Sequence, residues 1–81
     1  DTTEKANWLN SQPKDIKKYV VTDSVDRVDV RGTPMSFQPI IFITDTFYPN
    51  KQAEKNIYYI GSKELNKIDC SKACEIIHIH D

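Results

Sequence analysis

The chain has 81 residues, of which 38% are hydrophobic and 28% are charged, and it contains two glycines and four prolines. This length and composition predict one compact domain over residues 1–81 and exclude a disordered or collagen-like chain. Eleven basic and 12 acidic side chains give a formal charge of −1, so we expect no partner among nucleic acids. No apolar run approaches the roughly 18 residues that a membrane-spanning segment needs.

The start of the chain is helical in its sequence pattern. Thr2 or Thr3 can cap a short helix, and Pro13 ends it or opens a second helical turn over residues 14–19. That second turn carries a narrow apolar stripe at i, i+3 and i+4, formed by Ile16, Tyr19 and Val20. The sequence therefore predicts one short N-terminal helix, or two helical turns.

Short strands are predicted for the rest of the chain. Alternating apolar residues predict a half-exposed strand over residues 25–31. The apolar run Ile40–Ile43 predicts that the segment 37–48 is the central strand of the sheet. Further strands are predicted at 57–60, 67–70 and 75–80, with a loop at 49–56 and a turn at 62–66. Because the connections are short, we expect an α+β fold in which the helical segment packs on a four- or five-stranded antiparallel sheet.

The two cysteines, Cys70 and Cys74, are predicted to form a structural disulfide. A hairpin through residues 71–73 would bring the sulfurs together, and a helical turn with the cysteines at i, i+4 is the competing geometry. Free thiols are the alternative. A redox-active pair is disfavoured because the spacing is not C-x-x-C and an acidic residue flanks each cysteine.

The compartment is predicted from these cysteines and from the first residue. A chain that begins at Asp1 instead of methionine is typical of a processed product, and a disulfide is typical of an oxidising compartment. We therefore expect a periplasmic or secreted protein. Residues 1–12 are mostly polar, so part of them is also compatible with a tether behind a lipid-bearing cysteine, as in a lipoprotein.

A metal site is the main rival hypothesis for the C-terminal segment. Cys70, Cys74, His78 and His80 are four candidate ligands within one short stretch, and two histidines at i, i+2 on a strand share a face. A zinc finger needs a longer insert between its ligand pairs, so we expect no metal ligand and no cofactor.

No motif for nucleophilic or phosphate chemistry is present, so we expect no enzyme activity and no catalytic residue. The informative surface is aromatic. Phe47 and Tyr48 precede the predicted 49–56 loop, and Tyr58 alternates with Tyr59 across a strand, so some of these rings should be exposed. Exposed aromatic side chains beside a loop are typical of protein-binding hot spots.

These observations predict a small extracytoplasmic module that binds another protein by occlusion, through Phe47, Tyr48 and Tyr58. An inhibitor, an immunity or exclusion protein, and an accessory of cell-envelope assembly all act in this way. A rigid, cross-linked scaffold suits such a role because it lowers the ordering cost of association. The alternatives are a metal-binding protein that uses the Cys/His segment and a cytosolic regulator.

Overall fold

The computed structural model describes residues 2–23, 35–68, 70 and 74–79. Helix α1 spans Thr2–Ser11 and strand β1 spans Lys17–Thr22. A 3-10 turn at Met35–Phe37 leads into helix α2, Gln38–Thr44, which is followed by helix α3, Pro49–Lys55. Strand β2, Ile57–Gly61, a 3-10 segment, Ser62–Lys67, and strand β3, Cys74–Ile79, complete the described elements.

The described strands form a parallel sheet in the order β2-β1-β3, so the prediction of a four- or five-stranded antiparallel sheet is wrong. Lys18 pairs with Ile57 on one side of β1 and with Glu75 on the other. Parallel neighbours need a crossover of about a dozen residues or more, and the connection from β1 to β2 contains α2 and α3. Misassigning those helices removed the crossover from the prediction and left only antiparallel pairing.

The predicted central strand at 37–48 is mostly helix α2. Pro39 lies in the first turn of the helix, where the missing N–H costs nothing. Burial follows the helical spacing i, i+3, i+4 and i+7, at Phe37, Ile40, Ile41 and Thr44. Asp45 then adopts a left-handed conformation with φ of 54°, and its N–H bonds to the Ile41 carbonyl and ends the helix.

Two further predictions fail for related reasons. The second helical turn at 14–19 is wrong, because the run from Tyr19 to Thr22 favours the extended chain and forms the central strand β1. The loop at 49–56 is also wrong, because Pro49 opens α3 and Asn56 closes it with φ of 58°.

The remaining strand predictions have different outcomes. The strand at 57–60 is confirmed as β2, and the last strand is confirmed over Cys74–Ile79. The turn at 62–66 is a 3-10 segment. The strand predicted at 67–70 is wrong, because Lys67 is the last residue of that segment and neither Ile68 nor Cys70 lies in a strand. The strand predicted at 25–31, like His80, lies outside the described residues.

The hydrophobic core lies between the helices and one face of the sheet. Helices α1 and α2 pack against each other, and their buried side chains join those of all three strands. The cluster contains Ala6, Leu9, Val20, Phe37, Ile40, Ile41, Ile57 and Ile79. Because side chains alternate along a strand, Tyr19 and Tyr58 lie on the opposite face, where their ring centroids are 5.9 Å apart.

Candidate functional site

The predicted disulfide is confirmed. Cys70 and Cys74 are bonded to each other, with their Cα atoms 5.7 Å apart. The hairpin offered as its geometry is wrong, because Cys74 begins β3 and Cys70 lies outside any strand. An oxidised pair is compatible with an oxidising compartment.

The same bond bears on the metal hypothesis. Sulfur binds metal ions as thiolate, and both sulfurs are held in the disulfide. His78 lies exposed on β3, whereas the second histidine falls outside the described residues. Within 2–23, 35–68, 70 and 74–79, no group of three or more His, Cys, Asp or Glu side chains could hold a metal ion.

Phe47 and Tyr48 lie together in the short connection between α2 and α3. Their ring centroids are 4.9 Å apart and the rings meet edge to face, which is a favourable aromatic geometry. Both side chains are exposed, and Tyr48 retains 59% of its accessible surface.

Two further apolar side chains in this region were missed by the sequence analysis. Phe42 is 85% exposed on the outer side of α2, and its neighbour Ile43 is also exposed. The helical spacing of Phe37, Ile40 and Ile41 was the available signal, since it leaves Phe42 off the buried stripe. We call Phe42, Ile43, Phe47 and Tyr48 the α2–α3 ridge.

A buried hydroxyl cluster holds the base of this ridge on the sheet. The Thr44 hydroxyl donates to the Ile40 carbonyl at 2.7 Å and lies 2.7 Å from the Thr46 hydroxyl. The Tyr59 hydroxyl from β2 bonds to Thr46 and lies 3.3 Å from Thr44. Burial raises the pKa of the Tyr59 phenol, and the bonds to the two threonines partly offset that rise.

Neighbouring elements also fix the ends of the connection. Gln52 of α3 donates its side-chain amide to the Thr46 carbonyl at 3.1 Å, and Asn10 of α1 donates to the Ile43 carbonyl at 3.2 Å. Lys55 donates to the carbonyl of Thr44. The backbone that carries the ridge is therefore bonded to α1 and α3, and the side chains of Thr44 and Thr46 are bonded to β2.

Tyr58 is placed apart from the other two predicted contact residues. Its ring packs on Tyr19, and its hydroxyl donates to the Asn56 side-chain oxygen at 3.0 Å. It lies on the sheet face opposite Tyr59, which contacts Phe37 of the core at 5.0 Å between centroids. The structure thus brings Phe47 and Tyr48 together and leaves Tyr58 at the outer strand β2.

A small cavity of about 260 Å³ lies where the end of α1 meets the starts of β1 and β2, and three lysines line it. We call this cavity, with Lys14, Lys18 and Lys55, the lysine pocket. Lys18 is only 1% exposed, and its ammonium donates to the Pro13 carbonyl at 2.8 Å. Burial lowers the pKa of Lys18, and the negative charge of Asp15 opposes that change.

The Lys18→Met variant is expected to change how stability depends on pH. Since the folded-state pKa of Lys18 is lowered, the folded chain loses this proton first as pH rises towards 10.5. In that interval the unfolded chain holds more protons than the folded chain. The wild-type free energy of unfolding therefore gains a rising contribution in that interval, and the variant lacks it. At pH 7 the variant should be more stable by about 1 kcal/mol, because it buries no charge.

Urea unfolding at pH 7 and at pH 9.5 measures this difference. Lys17→Met is the matched control, because Lys17 is the adjacent residue and is exposed. Identical pH dependence in the two variants would show that Lys18 carries no desolvation penalty.

Comparison with known proteins adds no assignment: no family model matches the chain, and neither a curated protein nor a solved structure matches it. In the described part of the chain, no helix is long and apolar enough to cross a membrane.

Proposed function

We propose that this chain is a small protein-binding module of the periplasm or the extracellular space, which acts by occluding a surface of its partner through the α2–α3 ridge. An inhibitor, an immunity or exclusion protein, and an envelope-assembly accessory all fit this mode of action. The observation that carries the proposal is the 85% exposure of Phe42, which is close in sequence to the exposed Ile43, Phe47 and Tyr48. Leaving large apolar side chains in water is unfavourable, and a contiguous set of them marks an interaction surface.

The size of the ridge suits the centre of a protein interface. Phe42 and Tyr48 are close in sequence, so even a fully extended chain keeps their Cα atoms within roughly 22 Å. A standard interface covers about 800 Å² on each partner, and a handful of aromatic side chains at its centre supply most of the affinity. One partner can therefore contact the whole ridge.

Rigidity of the ridge supports binding without rearrangement. The carbonyls of Ile43, Thr44 and Thr46 are bonded to side chains from α1 and α3, as described above. A surface that is already ordered loses less conformational entropy on association. Occlusion by such a surface needs no covalent step and no cofactor.

The cross-link supports the proposed compartment. Disulfides persist in secreted and periplasmic proteins and are rare in the reducing cytosol. The Cys70–Cys74 bond therefore supports the extracytoplasmic part of the proposal, and a cell-envelope or secreted protein is the expected partner.

Affinity capture from envelope and secreted fractions of the native host tests the proposal. The partner should bind the wild-type chain, and Phe42→Ala or Tyr48→Ala should weaken binding roughly 30-fold, as expected for a central aromatic hot spot. Tyr58→Ala should weaken binding less, because Tyr58 reaches a partner only around the outer strand β2.

Ile76→Ala is the matched control. Ile76 is an exposed apolar side chain on β3, on the sheet face that carries Tyr19 and Tyr58. The control should bind like the wild-type chain. Equal capture by the Phe42, Tyr48 and Ile76 variants, or binding of the ridge to lipid vesicles alone, would contradict a protein-binding ridge.

A further inference from the structure

The lysine pocket concentrates positive charge in a chain whose formal charge is −1. Lys14, Lys18 and Lys55 line it together with the amide side chains of Asn10 and Gln12, over an apolar floor of Leu9 and Ile57. Among the residues that the structure describes, no carboxylate lines the cavity. Among the described residues the ion pairs involve Lys51 and Lys67, so none of the three pocket lysines has one.

The ammonium groups in the pocket keep free donors. An ammonium has three N–H bonds, and Lys18 uses one of them on the Pro13 carbonyl. Lys55 uses two, on the Thr44 carbonyl and on the Asn10 side-chain oxygen. These bonds fix both nitrogens and still leave N–H groups for a ligand, which is the arrangement of a preorganised anion site.

Helix capping accounts for only part of this arrangement. A cation near the carboxyl end of a helix is favourable, and Lys55 serves the end of α2 in that way. Lys18 bonds to Pro13, which lies beyond α1, and its burial has a desolvation cost that the charge of Asp15 offsets only in part. A bound anion would offset that cost.

We propose that the lysine pocket binds a dianionic phosphate group, either as inorganic phosphate or as the phosphate of a small phosphomonoester. Three ammonium groups match a phosphate, which carries a charge of about −1.5 to −2 at pH 7, better than they match a single carboxylate. The cavity of about 260 Å³ accepts a small group. A nucleic-acid backbone is a poor fit, because it needs a longer cationic track than one pocket.

No side chain of the α2–α3 ridge lines the site, so the site goes beyond the proposed protein-binding function, although Asn10 and Lys55 also bond to the backbone of α2. Attraction between opposite charges about 4 Å apart is roughly four times stronger near a protein surface than in bulk water. Bound phosphate should therefore return Lys18 towards its fully charged state, against the effect of burial. Phosphate and the buried lysine would stabilise each other.

Titration of the full chain with inorganic phosphate, at ionic strength held constant with sodium chloride, tests the proposal. Saturable shifts of the backbone amide signals of Gln12, Lys18 and Ile57 in NMR spectra are expected. Lys14→Gln should weaken binding roughly tenfold, and Lys18→Met should weaken it further, because each removes a charge-assisted contact. Lys17→Gln is the matched control and should bind like the wild-type chain.

A parallel titration with phenyl phosphate separates the two phosphate sources. Tighter binding of phenyl phosphate supports a phosphomonoester ligand, and tighter binding of inorganic phosphate supports the free ion. Three results would overturn the proposal: shifts that stay linear with phosphate concentration, acetate binding as tightly as phosphate, or equal losses in Lys14→Gln and Lys17→Gln. The Lys14 and Lys17 variants alter exposed side chains, so folding does not confound the comparison.

Discussion

Ile40→Ala is expected to lower the free energy of unfolding by about 2–5 kcal/mol, whereas Phe42→Ala should change it by only about 0.5 kcal/mol. Ile40 is fully buried among the side chains of α1 and the sheet, so truncation removes its hydrophobic contacts and leaves a cavity. Phe42 is 85% exposed, so truncation removes little buried surface although phenylalanine is the larger residue. Urea unfolding followed by circular dichroism measures both values.

This pair of variants distinguishes helix α2 from a strand in the same segment. In a strand buried on both faces, Ile40 and Phe42 would share one face, and both truncations would be costly. In the helix, the two residues lie well apart around the axis. Comparable losses of several kcal/mol in both variants would contradict the helical assignment.

The segment from Phe37 to Asn56 explains most of the difference between the predicted and the observed fold. A short run such as Ile40–Ile43 is apolar enough for either a buried strand or a buried helix, and periodicity alone does not separate them. The deciding signals were local. Pro39 and Pro49 each lie in the first turn of a helix, and Asp45 and Asn56 each end one in a left-handed conformation.

Strands with strong β propensity were easier to predict. Ile57 to Ile60 and the alternating residues of β3 form strands as expected, because β-branched and aromatic side chains dominate both. Their parallel direction had no local signal. It depends on helices crossing between the strands, so an error in α2 and α3 became an error in the whole sheet.

A candidate site was easier to predict when its residues are close together in the sequence. The cysteine pair is close in sequence, and its count and spacing predicted the disulfide correctly. Two of the four residues of the α2–α3 ridge, Phe47 and Tyr48, were among the predicted contact residues. The lysine pocket was missed because it joins α1, β1 and α3, and only the tertiary fold brings Lys14, Lys18 and Lys55 together.

Replacement of both Cys70 and Cys74 by serine is expected to lower the free energy of unfolding by about 2 kcal/mol, because cross-linking a short loop removes conformational entropy from the unfolded chain. The bond also joins the connection before β3 to the first residue of that strand, which pairs with Lys17 of β1. In the serine variant we expect the start of β3 to exchange its amide protons faster than the end of β3, where Ile79 is buried in the core.

Wild-type protein in dithiothreitol should unfold at the same urea concentration as the serine variant, because both lack the cross-link. The variant should still bind a partner through the α2–α3 ridge, since that surface is held by α1, α3 and β2 and makes no use of the disulfide. If dithiothreitol leaves the unfolding midpoint of the wild-type chain unchanged, the cross-link does not stabilise the fold. Partner binding that is retained in the reduced chain would show that the contact surface does not depend on the disulfide.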